Sequence, residues 1–255
     1  MLITTLAAAA PGTAAHKYGD PIGALNEGGF ISWSTAIILT IFLFFSLYIL
    51  FTKWFEQQKI INQSRRVRQS FWTANSLREG AAKLEKNSAY RQIVDDGIQA
   101  QEQYKDLTDP IEAHDWLHGS LARSEATINS SLGGGLAFLA TVGSTAPFIG
   151  LFGTVVGIYR ALIKIGSSGQ ASLDTVAGPV GEALIMTAMG LVVAVPAVLA
   201  YNYLQRRNKA IAEQLSAFSN DVLGFLASDG RVRPATRKGP APKAAPATTA
   251  TAPKA

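Results

Sequence analysis

The sequence predicts an all-α membrane protein with three transmembrane helices and long cytoplasmic helical extensions. Only 16% of the 255 residues are charged, against 48% apolar, whereas an average soluble domain carries roughly 25% charge. The apolar residues also concentrate in three intervals without one charged side chain: residues 28–52, 126–159 and 183–205, which are 25, 34 and 23 residues long. Each exceeds the ~20 residues a helix needs to cross a hydrocarbon core. Buried helices of a large soluble core are the alternative, but core helices rarely run that far without a charge. The chain has no cysteine, which excludes disulfide scaffolds, thiolate metal sites and a cysteine nucleophile.

The first span, ISWSTAIILTIFLFFSLYILFT, is followed by Lys53, Lys59, Arg65, Arg66 and Arg68, opposed nearby by Glu56 alone. After the third come Arg206, Arg207 and Lys209. The connection between spans two and three holds only Arg160 and Lys164, and the amino-terminal segment only Lys17. Basic residues mark cytoplasmic flanks, so the first loop and the carboxyl terminus are expected in the cytoplasm and the amino terminus outside. Residues 1–15, MLITTLAAAAPGTAA, resemble a secretory leader in apolarity but lack a basic n-region. From residue 231 the chain is Pro/Ala/Lys-rich and predicted disordered. Its basic charge suits an anionic lipid surface; no aromatic scaffold accompanies it, so no nucleic-acid partner is expected.

The loop over residues 53–125 carries 11 basic and 11 acidic residues and reads as a folded helical region. Ile60, Val67 and Phe71, then Tyr90, Val94 and Ile98, then Leu117, Leu121, Ile128 and Leu132 recur at helical spacing. Asp109-Pro110-Ile111-Glu112 reads as a helix start, with Asp as N-cap, Pro at N1 and Glu at N3. That helix is expected to run through Leu121 directly into span two. His114 and His118 have two-histidine metal spacing, but neither the following Glu nor a third ligand is evident, so they read as a solvated face. No metal or cofactor is expected, and no enzyme: the spans contain neither His nor Asp, which an intramembrane protease needs.

Span two, GGGLAFLATVGSTAPFIGLFGTVVGIY, is rich in small residues, with Gly150, Gly153 and Gly157 on successive turns. Small residues let helix backbones approach, and packing drives helix association in lipid. Pro147 here and Pro196 in span three each remove a helical hydrogen bond, which protein or water must make good. Glu182 is the only carboxylate or basic residue between Asp174 and Arg206. A carboxylate near the bilayer centre costs about 2.5–3.5 kcal/mol and usually marks an ion or proton path. The competing reading leaves it snorkelling at the outer interface, because the 23 uncharged residues after it span the core alone. Counted from Ser168 in the connecting turn, Thr154 and Glu182 are each 14 residues away, so an antiparallel hairpin puts them at matched depth. Thr187 is five residues deeper than Glu182 and about 140° around the helix. One Glu with two threonine hydroxyls can hold a proton and solvate a water wire. Three helices cannot enclose a pore, so the path is expected between copies or with a partner. Several Glu182 side chains around one axis would repel and be desolvated, which keeps most copies neutral.

The stretch from Gly143 to Asn202, GSTAPFIGLFGTVVGIY and then GPVGEALIMTAMGLVVAVPAVLAYN, resembles the MotA/TolQ/ExbB proton-channel family. GSTAPF favours its ExbB branch over TolQ, and three spans disfavour MotA, which has four. The resemblance implies a proton pathway over Thr154, Glu182 and Thr187, and a homo-oligomeric ring, a pentamer, enclosing the transmembrane helices of an ExbD dimer. It further implies an inner-membrane complex that uses the proton motive force to drive TonB and outer-membrane import such as iron–siderophore uptake. A TolQ-like role in envelope constriction is the alternative. Expected segments are a periplasmic 1–30, spans over 31–54, 128–163 and 175–205, a cytoplasmic loop over 55–127, a periplasmic turn over 164–174, a cytoplasmic extension over 206–230 and a tail over 231–255.

Overall fold

The computed structural model describes residues 21–74, 76–108, 112–168 and 173–234, with the side chains of 21–28, 68–69, 164, 168, 173–179 and 182 outside the described set. Among the described residues every regular element is helical. Helices α1 (Pro21–Ser70), α2 (Leu77–Ala82), α3 (Ala89–Tyr104), α4 (Ala113–Gly133), α5 (Leu136–Ser168) and α6 (Leu173–Ala227) follow in order, with a 3-10 turn at Phe71–Thr73. Three helical stretches, Gly29–Thr73, Ala113–Ser167 and Ala183–Ala227, are long and apolar enough to cross a membrane. The leader-like residues 1–15, the tail from 235 and the Asp109–Ile111 part of the expected helix start lie outside the described residues. The first described bond of α4 runs from the Trp116 amide to the Glu112 carbonyl at 3.1 Å.

The chain divides into two compact units. The first comprises Met1–Asn62 and Glu125–Leu215. Its core is built from small and branched side chains: Leu39, Val142, Ala146, Val193, Ala194 and Ala197, then Leu136, Leu139, Ala200 and Leu204. Phe42 and Phe138 meet edge to face at 6.0 Å. The larger apolar side chains point the other way: Phe44, Phe51, Phe148, Phe152, Leu184 and Leu199 are all exposed. Small inside and large outside inverts the soluble pattern and is what packing surrounded by lipid or neighbouring helices demands.

The expected continuous helix into span two is interrupted between α4 and α5. Gly135 has φ +82°, a left-handed conformation that costs an L side chain and that glycine adopts freely. Ending α4 there strips its last carbonyls of their intrahelical partners. Lys53 Nζ donates to the Ser131 carbonyl at 2.8 Å, and Asn208 Nδ2 to the Leu132 carbonyl at 2.9 Å. Both donors come from other helices, so the break is capped from α1 and α6.

The second unit comprises Gln63–Ser124 and Ser216–Ala255. The helically spaced Val67, Phe71, Tyr90, Val94, Leu117 and Leu121 are all buried. The Phe71 and Tyr90 rings each stand 5.2 Å from that of Phe218. Gly97 lets Leu121 and Leu226 close over α3, at 3.3 and 3.1 Å from where a β-carbon would stand. Ser76 caps α2, accepting from the Glu79 amide at 3.2 Å. Arg66–Glu85, Arg78–Glu102 and Arg91–Asp95 pair at the surface, where such pairs contribute little.

Candidate functional site: the α5–α6 contact

Small residues on two helices create the site. Gly143, Ala146, Gly150 and Gly153 recur three and four apart on α5, and Ala183, Met186, Gly190 and Ala194 on α6. That spacing puts each set on one helical face. Backbone meets backbone at the centre. A β-carbon on Gly150 would stand 2.6 Å from the Met186 carbonyl oxygen and 3.1 Å from the Gly190 α-carbon. On Gly190 it would stand 2.7 Å from the Ala146 carbonyl oxygen. Gly153 faces the Met186 side chain and Thr35 Cγ2, and Gly157 is buried a turn beyond. Pro147 sits inside α5 and Pro196 inside α6 without ending either helix.

One turn from Gly150, Thr154 is only 9% exposed. Its Oγ1 lies 3.2 Å from the Gly150 carbonyl and 2.9 Å from the Ala183 carbonyl, and it hydrogen-bonds the Thr187 hydroxyl. A hydroxyl has one hydrogen and two lone pairs. The consistent assignment is that Thr187 donates to Thr154, which donates to the shorter acceptor, the Ala183 carbonyl. Rotating both hydroxyl hydrogens, so that Thr154 donates to Thr187 and Thr187 turns its own hydrogen away, reverses the order without moving a heavy atom. Two hydroxyls that each donate and accept form the smallest unit able to hand on a proton.

The structure therefore brings Thr154 and Thr187 together. Thr187 lies four residues after Ala183, on the same face of α6, and that face receives Thr154. Glu182 falls in α6 immediately before Ala183; its side chain lies outside the described residues. His114 and His118 are exposed on α4 with rings parallel at 6.4 Å. Among the described residues no three His, Cys, Asp or Glu are grouped as metal ligands.

Sequence reasoning missed a second polar cluster in the same unit. Gln57 is fully buried, and its Nε2 donates to the Leu204 carbonyl at 3.0 Å and to Asn208 Oδ1 at 2.6 Å. Through Asn208 this hub reaches the Leu132 carbonyl at the helix break. Arg207 adds a bond to Gln58 Oε1 at 2.8 Å and lies over the Tyr203 ring at 5.5 Å. The only sequence signal was amide side chains next to a basic flank, the usual look of a solvated helix.

The sequence model of the MotA/TolQ/ExbB proton channel family matches residues 85–217. The biopolymer transport protein ExbB of Xanthomonas campestris is 35% identical over 253 residues, covering 89% of this chain and 98% of that protein. ExbB of Neisseria gonorrhoeae is 45% identical over 135 residues, 51% of this chain and 61% of that one. The Tol-Pal system protein TolQ of Pseudomonas aeruginosa is 42% identical over 107 residues, 42% of this chain and 45% of that one.

Proposed function

Because the chain belongs to the MotA/TolQ/ExbB proton channel family, we propose that it is an ExbB-like stator subunit of the inner membrane. With ExbD it uses the proton motive force to energise TonB-dependent outer-membrane import, iron–siderophore uptake being the type of cargo. Five copies form a ring around the transmembrane helices of an ExbD dimer. Protons enter from the outer side at Thr154 and Glu182, pass along Thr187 and leave toward the cytoplasm. Proton exchange at the ExbD helices biases their movement against the ring. Each proton crossing supplies about 2.3 kcal/mol per 100 mV, so mechanical work draws on several protons per cycle or on the added pH gradient.

The observation that carries the reading is the hydroxyl pair in the α5–α6 contact, Thr154 buried and Thr187 half-buried. Thr154 and Thr187 meet beside the residue that follows the lone carboxylate of span three. A polar pair there has no packing advantage over alanine or valine, and it suits proton transfer. The test is Glu182→Gln in cells that depend on this chain for import. Import is expected to fail while the complex still assembles; import at the wild-type level would contradict the reading and leave a passive scaffold.

A TolQ-like subunit powering envelope constriction is the second reading, favoured by the likeness to the P. aeruginosa TolQ. The near full-length match to the X. campestris ExbB favours the first. Complementation separates them, since the chain restores siderophore import in one case and constriction in the other.

A further inference from the structure

We infer that Gly190 is a positioning residue of the proton route: its bare α-carbon, set against Gly150, holds α5 and α6 close enough for the Thr154 hydroxyl to keep its bonds to Ala183 and Thr187. The inference rests on the channel reading above and adds a residue that touches no proton itself.

Other positions of the α5–α6 contact, apart from Gly143 and Gly153, are served by alanine: Ala146, Ala183, Ala194 and Ala197 are all buried. Alanine favours a helix more than glycine does, and Gly181 and Gly224 of α6 have open space where a β-carbon would stand, but Gly190 does not. At Gly190 the obstacle is main chain. The β-carbon would meet the Ala146 carbonyl oxygen at 2.7 Å and the Gly150 α-carbon at 3.1 Å, and neither can rotate away. Gly153 is less tightly placed: its nearest neighbours are Met186 Cβ and Cγ at 3.1 Å and Thr35 Cγ2 at 3.3 Å, side-chain carbons at longer range, of which the Cγ atoms can rotate. Gly166 has nothing within 4 Å.

Relieving the Gly190 contact to ordinary van der Waals distance requires the two backbones to part by about 0.7 Å. Thr187 is three residues from Gly190, and Thr154 four residues from Gly150, so the separation reaches the hydroxyls within one turn. The Thr154–Ala183 distance, 2.9 Å at rest, then lengthens to about 3.6 Å, which is no longer a hydrogen bond. Misplacing reacting groups by about 1 Å costs up to about a hundredfold in rate.

The experiment is proton flux in proteoliposomes holding the assembled complex, measured for Gly190→Ala, Thr154→Val and the double variant, in H2O and D2O, with Gly166→Ala as control. Gly190→Ala is expected to lower flux about tenfold or more and to raise the solvent isotope effect, because the strained hydroxyl transfer becomes limiting. In the Thr154→Val background the same change is expected to alter flux less than about twofold, since residues acting through one another are not additive. Gly166→Ala conducts as wild type. Equal fold losses in both backgrounds with an unchanged isotope effect would reduce Gly190 to packing and overturn the inference. Wild-type flux in Thr154→Val would instead refute the channel route through Thr154, and the inference with it. If Gly190→Ala does not assemble, a high-resolution structure of the wild-type complex decides. Gly150 and Gly190 in contact with the Thr154–Ala183 bond intact is expected; the bond intact with the helices apart at Gly190 overturns it.

Discussion

Thr154 offers a comparison in which stability and function separate. Thr154→Val keeps the side-chain shape and removes the hydroxyl, so the bonds to the Ala183 carbonyl and to Thr187 go. The Ala183 carbonyl keeps its helical donor, and Thr187 can bond back to it, so the loss stays near the net value of one hydrogen bond, about 1 kcal/mol. Thr154→Ser keeps the hydroxyl and removes a buried methyl, costing about 0.8 kcal/mol. The two variants should therefore melt within a few degrees of each other. Dye-reported proton uptake into proteoliposomes under an imposed potential should differ sharply: Ser conducts near the wild-type rate, and Val falls by at least about tenfold. Equal flux in the two would show that the hydroxyl is ordinary packing and would refute the relay assigned to it.

The helix break and the second unit give further expectations. Asn208→Ala removes the donor to Leu132 and one of the two acceptors of the buried Gln57 amide, whose bond to the Leu204 carbonyl stays; the N–H left without its acceptor makes the loss about 1–3 kcal/mol in thermal unfolding of the purified complex. Gly135→Ala forces a side chain into φ +82° with its β-carbon 3.0 Å from Ile49 Cγ2, at about 1–2 kcal/mol from the left-handed backbone alone, visible as faster proteolysis at the α4–α5 break. Asp221 is exposed at the surface, and partial desolvation by its neighbours raises its carboxyl above the ordinary 3.8, so the native state holds its proton slightly more tightly than the unfolded chain, an effect that solvent screens to a small one. The stability this group contributes is fully present below the ordinary value and is lost as pH rises through the raised one. Asp221→Asn should abolish that loss, seen as a smaller fall in melting temperature between acid and neutral pH.

The spans were legible because an uncharged run of that length has few readings. The hairpin register was legible by counting: Thr154 and Glu182 are equidistant from Ser168, and Thr154 does reach the carbonyl of Ala183, the next residue. Thr187 stands about 140° from Glu182 on the helix, and the face that receives Thr154 is that of Ala183, four residues before Thr187. Gly133–Gly135 read as small residues inside a span; their use as a break depends on Lys53 and Asn208, whose partners are backbone carbonyls 78 and 76 residues away. Gly190 was invisible for a similar reason. A single glycine in an apolar run gains meaning only when the carbonyl it abuts is known, and that carbonyl belongs to another helix. In the second unit, Tyr90 and Phe71 were marked by periodicity, but their common partner Phe218 lies too far along the chain for any local pattern to show.

Proton flux through the reconstituted complex, compared for wild type, Glu182→Asp and Glu182→Gln at matched protein content, tests the account most directly. A titratable side chain carrying protons predicts measurable, reduced flux with Asp and none above empty vesicles with Gln. Flux in Glu182→Gln equal to wild type would contradict it.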